Sequence, residues 1–218
     1  MPQLPRPVSR ALAGLALGWA AACSSSPPAV TDPELSAVTT GTREVVRVRA
    51  CEGPASSLPA ALAAGLPAPP NPATPSGPHT IDDYLSAVAR RTPGGFAGVY
   101  YDNNGTRPVL LLTDPARAAE AKAALAGQVP NFDVAGAEVR PARWDFAQLY
   151  DWYRHLQRQG VWAAGVGLTM SDIDERANRL YFGAADQAAR DRLAERLSAM
   201  DVPCDLILVG VSPRAVLL

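Results

Sequence analysis

The chain has 218 residues, of which 48% are hydrophobic and 19% charged, and a formal net charge of −1. That balance is globular rather than disordered, and the length fits one domain or two small ones. No block or stripe of cations runs through it, and Lys122 is its sole lysine, so nucleic acid is not an expected partner, since phosphate binding needs clustered Lys and Arg.

Residues 1–22, "MPQLPRPVSRALAGLALGWAAA", place Arg6 and Arg10 before an apolar run from Ala11 to Ala22. This order of charge, apolar core and small residues is that of a secretory signal peptide. The run is too short for a permanent membrane-spanning helix. Cleavage after Ala22 would leave a net charge of about −3. Cys23 follows directly, in "GWAAACSSSPP", and Ala20-Ala21-Ala22-Cys23 resembles the lipobox of bacterial lipoproteins, although Leu is commoner where Ala20 stands. The resemblance implies diacylglycerol on the Cys23 sulfur, cleavage before it, and anchoring to a membrane facing the periplasm or exterior. Ser24 would favour the outer membrane where there is one. The alternative is an ordinary signal that leaves Cys23 as a free thiol. With Cys23 lipidated, Cys51 and Cys204 remain, and two cysteines in an oxidising compartment suit a disulfide. Two separate buried thiols are the alternative.

Residues 23–78 read as a lipid-anchored tether, a short strand and a linker. "TREVVRVRAC" (42–51) alternates Val46 and Val48 with Arg47 and Arg49, the period of a strand. "EGPASSLPAALAAGLPAPPNPATPSGPH" is rich in Pro, Ala and Gly without a sustained period and reads as a semi-extended linker, with a short helix at 60–64.

Residues 79–218 carry the folded pattern. Thr80 and Asp83 have capping spacing, opening a helix whose expected stripe is Ile81, Leu85 and Val88. "FAGVYYD", the turn "NNG" and "TRPVLLLT" form a predicted hairpin. Asp114-Pro115 caps a helix running to about Ala126, and "DVAGAEVRP" is a third strand. "DFAQLYDWYRHLQRQG" is a connecting helix capped by Asp145, with Phe146, Leu149, Tyr153 and Leu156 on one face. The order then returns: "WAAGVGLTM" a strand, "SDIDERAN" a turn, "RLYFGA" a strand, "ADQAARDRLAERLSAM" a helix, "CDLILVGV" a strand. The fold class is therefore α+β: two ββαβ units in tandem, about 94–141 and 161–211, their antiparallel-rich sheets covered by helices.

Catalytic groups are few. His79 lies at the end of the linker and His155 one step off an apolar helix face. Neither has the nucleophile and orienting group that covalent catalysis needs. Asp172, Asp174 and Glu175 are the best carboxylate cluster, but Arg176 and Arg179 follow at once, and a solvated turn explains it; a hydrolase built on it is the third functional reading. Of Tyr100, Tyr101, Trp144, Tyr150, Trp152, Tyr153 and Trp162, most are expected in the core, and an exposed subset could anchor a protein. No metal or cofactor is expected.

"GGFAGVYYDNNGTRPVLLLTD", "DFAQLYDWYRHL" and "GVGLTMSDIDERANRLYFGAAD" together resemble the pro-region of alpha-lytic and streptogrisin-type serine endopeptidases, over about residues 94–211; Asn178 and Arg179 match the Asn-Arg step of its hairpin. The resemblance implies a module that binds and inhibits a serine endopeptidase, its tail lying in the active-site cleft; the matching segment is Ser212, Pro213, Arg214, Ala215, Val216, Leu217 and Leu218. With no protease domain expected after Leu218, that partner would be a separate molecule. The expectation is a non-enzymatic, membrane-anchored protein-binding module, the alternative being a structural or assembly lipoprotein of the envelope with no protease connection.

Overall fold

Helix starts are set by side chains that meet free N–H groups. The computed structural model describes residues 45–49, 53–66, 80–129, 131–161 and 165–212. Thr80 caps α2 (Ile81–Ala89) in a reciprocal box: its hydroxyl accepts from the Asp83 N–H at 3.2 Å, and Asp83 accepts from the Thr80 N–H at 2.9 Å. Asp145 and Gln148 repeat the device at α4 (Phe146–Arg158), at 2.7 and 3.1 Å. Asp186 caps α5 (Gln187–Ser198) through the Ala189 N–H at 2.8 Å. Asp114 accepts from the Ala116 N–H and opens a 3-10 turn, Pro115–Arg117, which leads into α3 (Ala118–Leu125).

The strands form two sheets. Strand β2 (Phe96–Asp102) pairs antiparallel with β3 (Arg107–Leu112), and β3 pairs parallel with β4 (Glu138–Pro141). In the second sheet β5 (Leu168–Asp174) pairs antiparallel with β6 (Arg179–Ala184), and β6 pairs parallel with β7 (Ile207–Val211). A further strand, β1 (Val45–Val48), adds antiparallel to the far side of β7, giving the order β1-β7-β6-β5. Each sheet thus contains a hairpin, a helix and a parallel return strand, with a register shift near the start of its first strand. The class is α+β.

One hydrophobic cluster joins the two sheets. It takes Phe96, Leu110 and Leu112 from the first, Ile173, Leu180, Phe182, Ile207 and Val209 from the second, and Leu85, Phe146, Leu149, Leu193 and Leu197 from the helices. Helix α4 touches β2, β5 and β6 as well as α2, so its apolar face is wider than the sequence stripe: Tyr150 and Trp152 are buried with Phe146, Leu149 and Leu156, while Tyr153 is only half-buried.

Four expectations need correction. Residues 53–66 are not a free linker. They lie against α4, with Leu58 7% exposed in the core, α1 (Ala60–Ala63) beside α4, the Trp152 indole donating to the Ser56 carbonyl at 2.9 Å and Gln148 to the Ser57 hydroxyl at 3.0 Å. A proline- and alanine-rich composition hides one well-placed leucine. Ile81 is 57% exposed, because the buried residues of α2 begin one turn later at Leu85. The stretch 171–174 is strand rather than turn, paired in register with Arg179–Phe182, and the reversal is confined to 175–178. The third strand covers only β4, because Asp133 accepts from the Gly136 N–H at 3.0 Å and turns the chain before Glu138.

Candidate functional site

Two of the residues singled out in the sequence sit at a structural junction. The reversal after β5 ends at Asn178, whose φ of 52° is left-handed, a conformation its short polar side chain tolerates. That side chain is buried. Its Oδ1 accepts from the N–H groups of Arg143 and Trp144 at 2.9 and 2.8 Å, and its Nδ2 donates to the Trp144 carbonyl at 2.9 Å. One side chain therefore replaces a strand's worth of partners for the link between β4 and α4. Arg179, the next residue, reaches the Asp205 carboxylate, which Arg143 also meets at 3.5 Å and Arg47 at 3.8 Å. Arg143 donates as well to the carbonyls of Gly53 and Cys204. Asp205 is buried, and three guanidinium groups balance its charge, joining β1, the 53–66 segment, the β4–α4 link and the approach to β7. Sequence reading missed Asp205, since an Asp between Cys204 and an apolar run carries no periodic signal.

The carboxylate cluster is real in space but differs from its sequence reading. Asp174 caps the turn by accepting from the Ala177 N–H at 2.9 Å, and Asp172 accepts from the Ile173 N–H at 2.9 Å. Glu175 packs its stem against Gly98, where an added Cβ would meet it at 2.9 Å. Burial, then the charges of Asp172, Asp82 and Asp174, push Glu175 up to about 7. Asp82, in the first turn of α2, joins the cluster from 90 residues away in sequence; burial and then Asp172 and Asp83 raise it to about 6. Asp83 goes the other way: against burial, the Tyr150 hydroxyl and Thr80 hold it below the usual range. Arg176 closes the far side, donating to Asp102 and to the Tyr101 carbonyl, both at 2.7 Å, with its guanidinium over the Tyr100 ring. Among the described residues no group of three His, Cys, Asp or Glu side chains is placed to hold a metal ion.

His155 is half-buried, edge-on to Trp152 with centroids 5.9 Å apart, and burial, then Arg158, lowers its pKa. Trp144, Trp152 and Tyr150 belong to the core, and Tyr101 is 39% exposed beside Phe132. A cleft of about 360 Å³ lies between the 53–66 segment and the loop before β7, lined by Arg49, Ser57, Trp152, Asp201 and Cys204; Arg49 there donates to the Val202 carbonyl at 2.8 Å and meets Asp201 at 3.3 Å.

Ser212 continues the line of β7. Its N–H donates to the Ala184 carbonyl at 2.7 Å, and its own carbonyl accepts from the Thr169 hydroxyl. Pro213, Arg214, Ala215, Val216, Leu217 and Leu218 lie outside the described residues, as do residues 1–22, Cys23, Cys51, His79 and Trp162. Cys204 is half-buried, its sulfur 3.9 Å from the position a Cβ on Gly53 would take. No helix among the described residues is long and apolar enough to cross a membrane. No family model matches the chain, and no curated protein matches it.

Proposed function

We propose that this chain is an envelope lipoprotein, held to a membrane through diacylglycerol on Cys23, whose α+β module binds another protein without catalysis. The partner class that the pro-region resemblance implies is a serine endopeptidase. The observation that carries the non-enzymatic reading is that the candidate acids and bases have structural occupations. Asp174 caps a turn, Glu175 fills the space above Gly98, His155 packs edge-on to Trp152, and Asp83 holds Tyr150 and Thr80. The Asn178-Arg179 step likewise organises backbone and the Asp205 charge. For the tail, the support is Ser212, the last described residue, whose N–H donates to the Ala184 carbonyl and whose carbonyl accepts from the Thr169 hydroxyl.

The proposal includes a Cys51–Cys204 disulfide. The β1–β7 register pairs Val45 with Gly210 and Val48 with Ile207, and the Asp205 N–H donates to the Arg49 carbonyl at 3.1 Å.

Two experiments test the reading. A fatty-acid analogue should label the wild-type chain and not Cys23→Ser; equal labelling of both refutes the anchor. Residues 42–218, with and without 213–218, should retain a serine endopeptidase from envelope extracts only when the segment is present. Retention of assembly factors regardless of it favours the structural alternative.

A further inference from the structure

The turn between β2 and β3 is held at its two ends and free in the middle. The Thr106 N–H donates to the carbonyls of Asp102 and Asn103 at 3.1 and 3.3 Å, and the Thr106 hydroxyl donates to the Asn103 carbonyl at 2.7 Å. Asn103, Asn104 and Gly105 then stand one after another in the left-handed region, with φ of 50°, 55° and 85°. Asn reaches that region through its short polar side chain and Gly because it has no Cβ. Asn104 and Gly105 are both exposed. Among the described residues, neither the Asn104 side chain nor the Gly105 N–H has a hydrogen-bond partner. A Cβ built on Gly105 would meet nothing within 4 Å. A free carboxamide is thus followed by a free, uncrowded amide nitrogen.

Two such groups in one chain react with each other, because their encounter is intramolecular. Rotation about the Asn104 Cα–C bond brings the Gly105 nitrogen onto the Asn104 Cγ. The nitrogen gives its proton to solvent base, and a bond from it to Cγ forms. The Cγ–Nδ2 bond breaks, and Nδ2 takes up a proton and leaves as ammonia. The five-membered succinimide that remains is opened by water at either of its carbonyls. One opening gives aspartate. The other gives isoaspartate, in which the main chain runs through the side-chain methylene. Nothing is oxidised or reduced, and water is the sole co-reactant.

We infer that Asn104 is a self-modifying site, converted in the folded protein through a succinimide to a mixture of aspartate and isoaspartate. The other asparagines are held back, each for its own reason. Asn103 and Asn131 are followed by Asn104 and Phe132, whose side chains crowd the attacking nitrogen. Asn178 is buried, and its carboxamide makes three hydrogen bonds. Asn71 precedes Pro72, whose nitrogen carries no hydrogen. Either product at position 104 adds a negative charge two residues from Asp102, the carboxylate that Arg140 and Arg176 hold at 3.0 and 2.7 Å. The modified turn therefore competes for Arg176, the guanidinium that ties the first hairpin to the second.

The test ages the full chain at neutral pH and reads isoaspartate in two ways. One is methyl transfer from labelled S-adenosylmethionine by an isoaspartate-specific carboxyl methyltransferase. The other is peptide mapping by mass spectrometry. Native wild type is compared with Asn104→Gln, with Asn103→Gln and with wild type held unfolded in guanidinium chloride. In the native wild type the mark should accumulate at position 104 about tenfold faster than at 103, 131 or 178, or faster still; tenfold is a barrier difference of about 1.4 kcal/mol. Asn103→Gln should keep the mark, and Asn104→Gln should lose it, since the longer side chain closes a less favourable ring. A native rate more than about tenfold below the unfolded rate overturns the proposal, because the folded turn then holds the two atoms apart. So does equal modification of 104 and the other native asparagines, or a signal that survives Asn104→Gln. The comparison within the wild-type chain decides the matter where a variant does not fold.

Discussion

Replacing Asn178 separates its two contributions. Asn178→Ala removes three hydrogen bonds, two from N–H groups and one to a carbonyl, all at 2.8–2.9 Å. Trp144 is fully buried, so its N–H and carbonyl find no water in exchange. At the net worth of a protein hydrogen bond, three such losses come to about 3 kcal/mol. Alanine must also hold a φ of 52°. Without the local polar contacts of Asn, that conformation costs about 1 kcal/mol more. Asn178→Ala should therefore destabilise by about 4 kcal/mol, a large share of the 5–15 kcal/mol typical of a domain. Asn178→Gly keeps the backbone freedom and loses only the bonds, so it should cost less, about 3 kcal/mol. Urea denaturation under conditions where the wild type unfolds in a single transition reads both. A loss below about 1 kcal/mol for Asn178→Ala would refute the idea that this side chain holds the β4–α4 link. Equal losses for Ala and Gly would refute the backbone part alone.

Glu175 gives a pH prediction. Its folded value, about 7, stands above the ordinary 4.5. The fold thus prefers the protonated acid, and its contribution is complete below pH 4.5 and lost as the pH rises through 7. Glu175→Gln should raise stability at pH 8 by up to about 3 kcal/mol, leave it unchanged at pH 4 and flatten the profile between; an unaltered profile refutes the burial argument. Leu58→Ala should cost about 2–4 kcal/mol in the same denaturation assay, as a core truncation does, whereas a linker residue would cost almost nothing. Cys51→Ser should lose about 3–5 kcal/mol under oxidising conditions and nothing relative to wild type in excess reductant, the signature of a closed long loop. Equal stability of the two oxidised proteins would rule out the bridge.

Local sequence chemistry decided where most elements begin. The caps at Thr80, Asp114, Asp145 and Asp186 work with neighbours two or three residues on, and the strands at 96–102, 107–112 and 179–184 follow from short apolar and aromatic runs bounded by turn residues. The α+β class and the repeated order of hairpin, helix and strand follow from that list. The candidate site was legible only in part. Asn178 and Arg179 stood out by pattern, and the acidic cluster by composition, but Asp82 and Asp205 did not, because their partners are 90 and 26–158 residues away respectively.

Tertiary packing decided the rest, for one physical reason: a long-range contact depends on which surfaces the rest of the chain leaves unfilled. Leu58 draws a proline-rich segment into the core because α4 offers it a face. β1 becomes the fourth strand of its sheet because β7 has an unpaired edge. The turn after β5 shrinks to four residues because 171–174 find backbone partners in β6. Gly183 and Gly210, ordinary small residues in sequence, become a platform only when parallel pairing sets them side by side beneath Met170 and Tyr181.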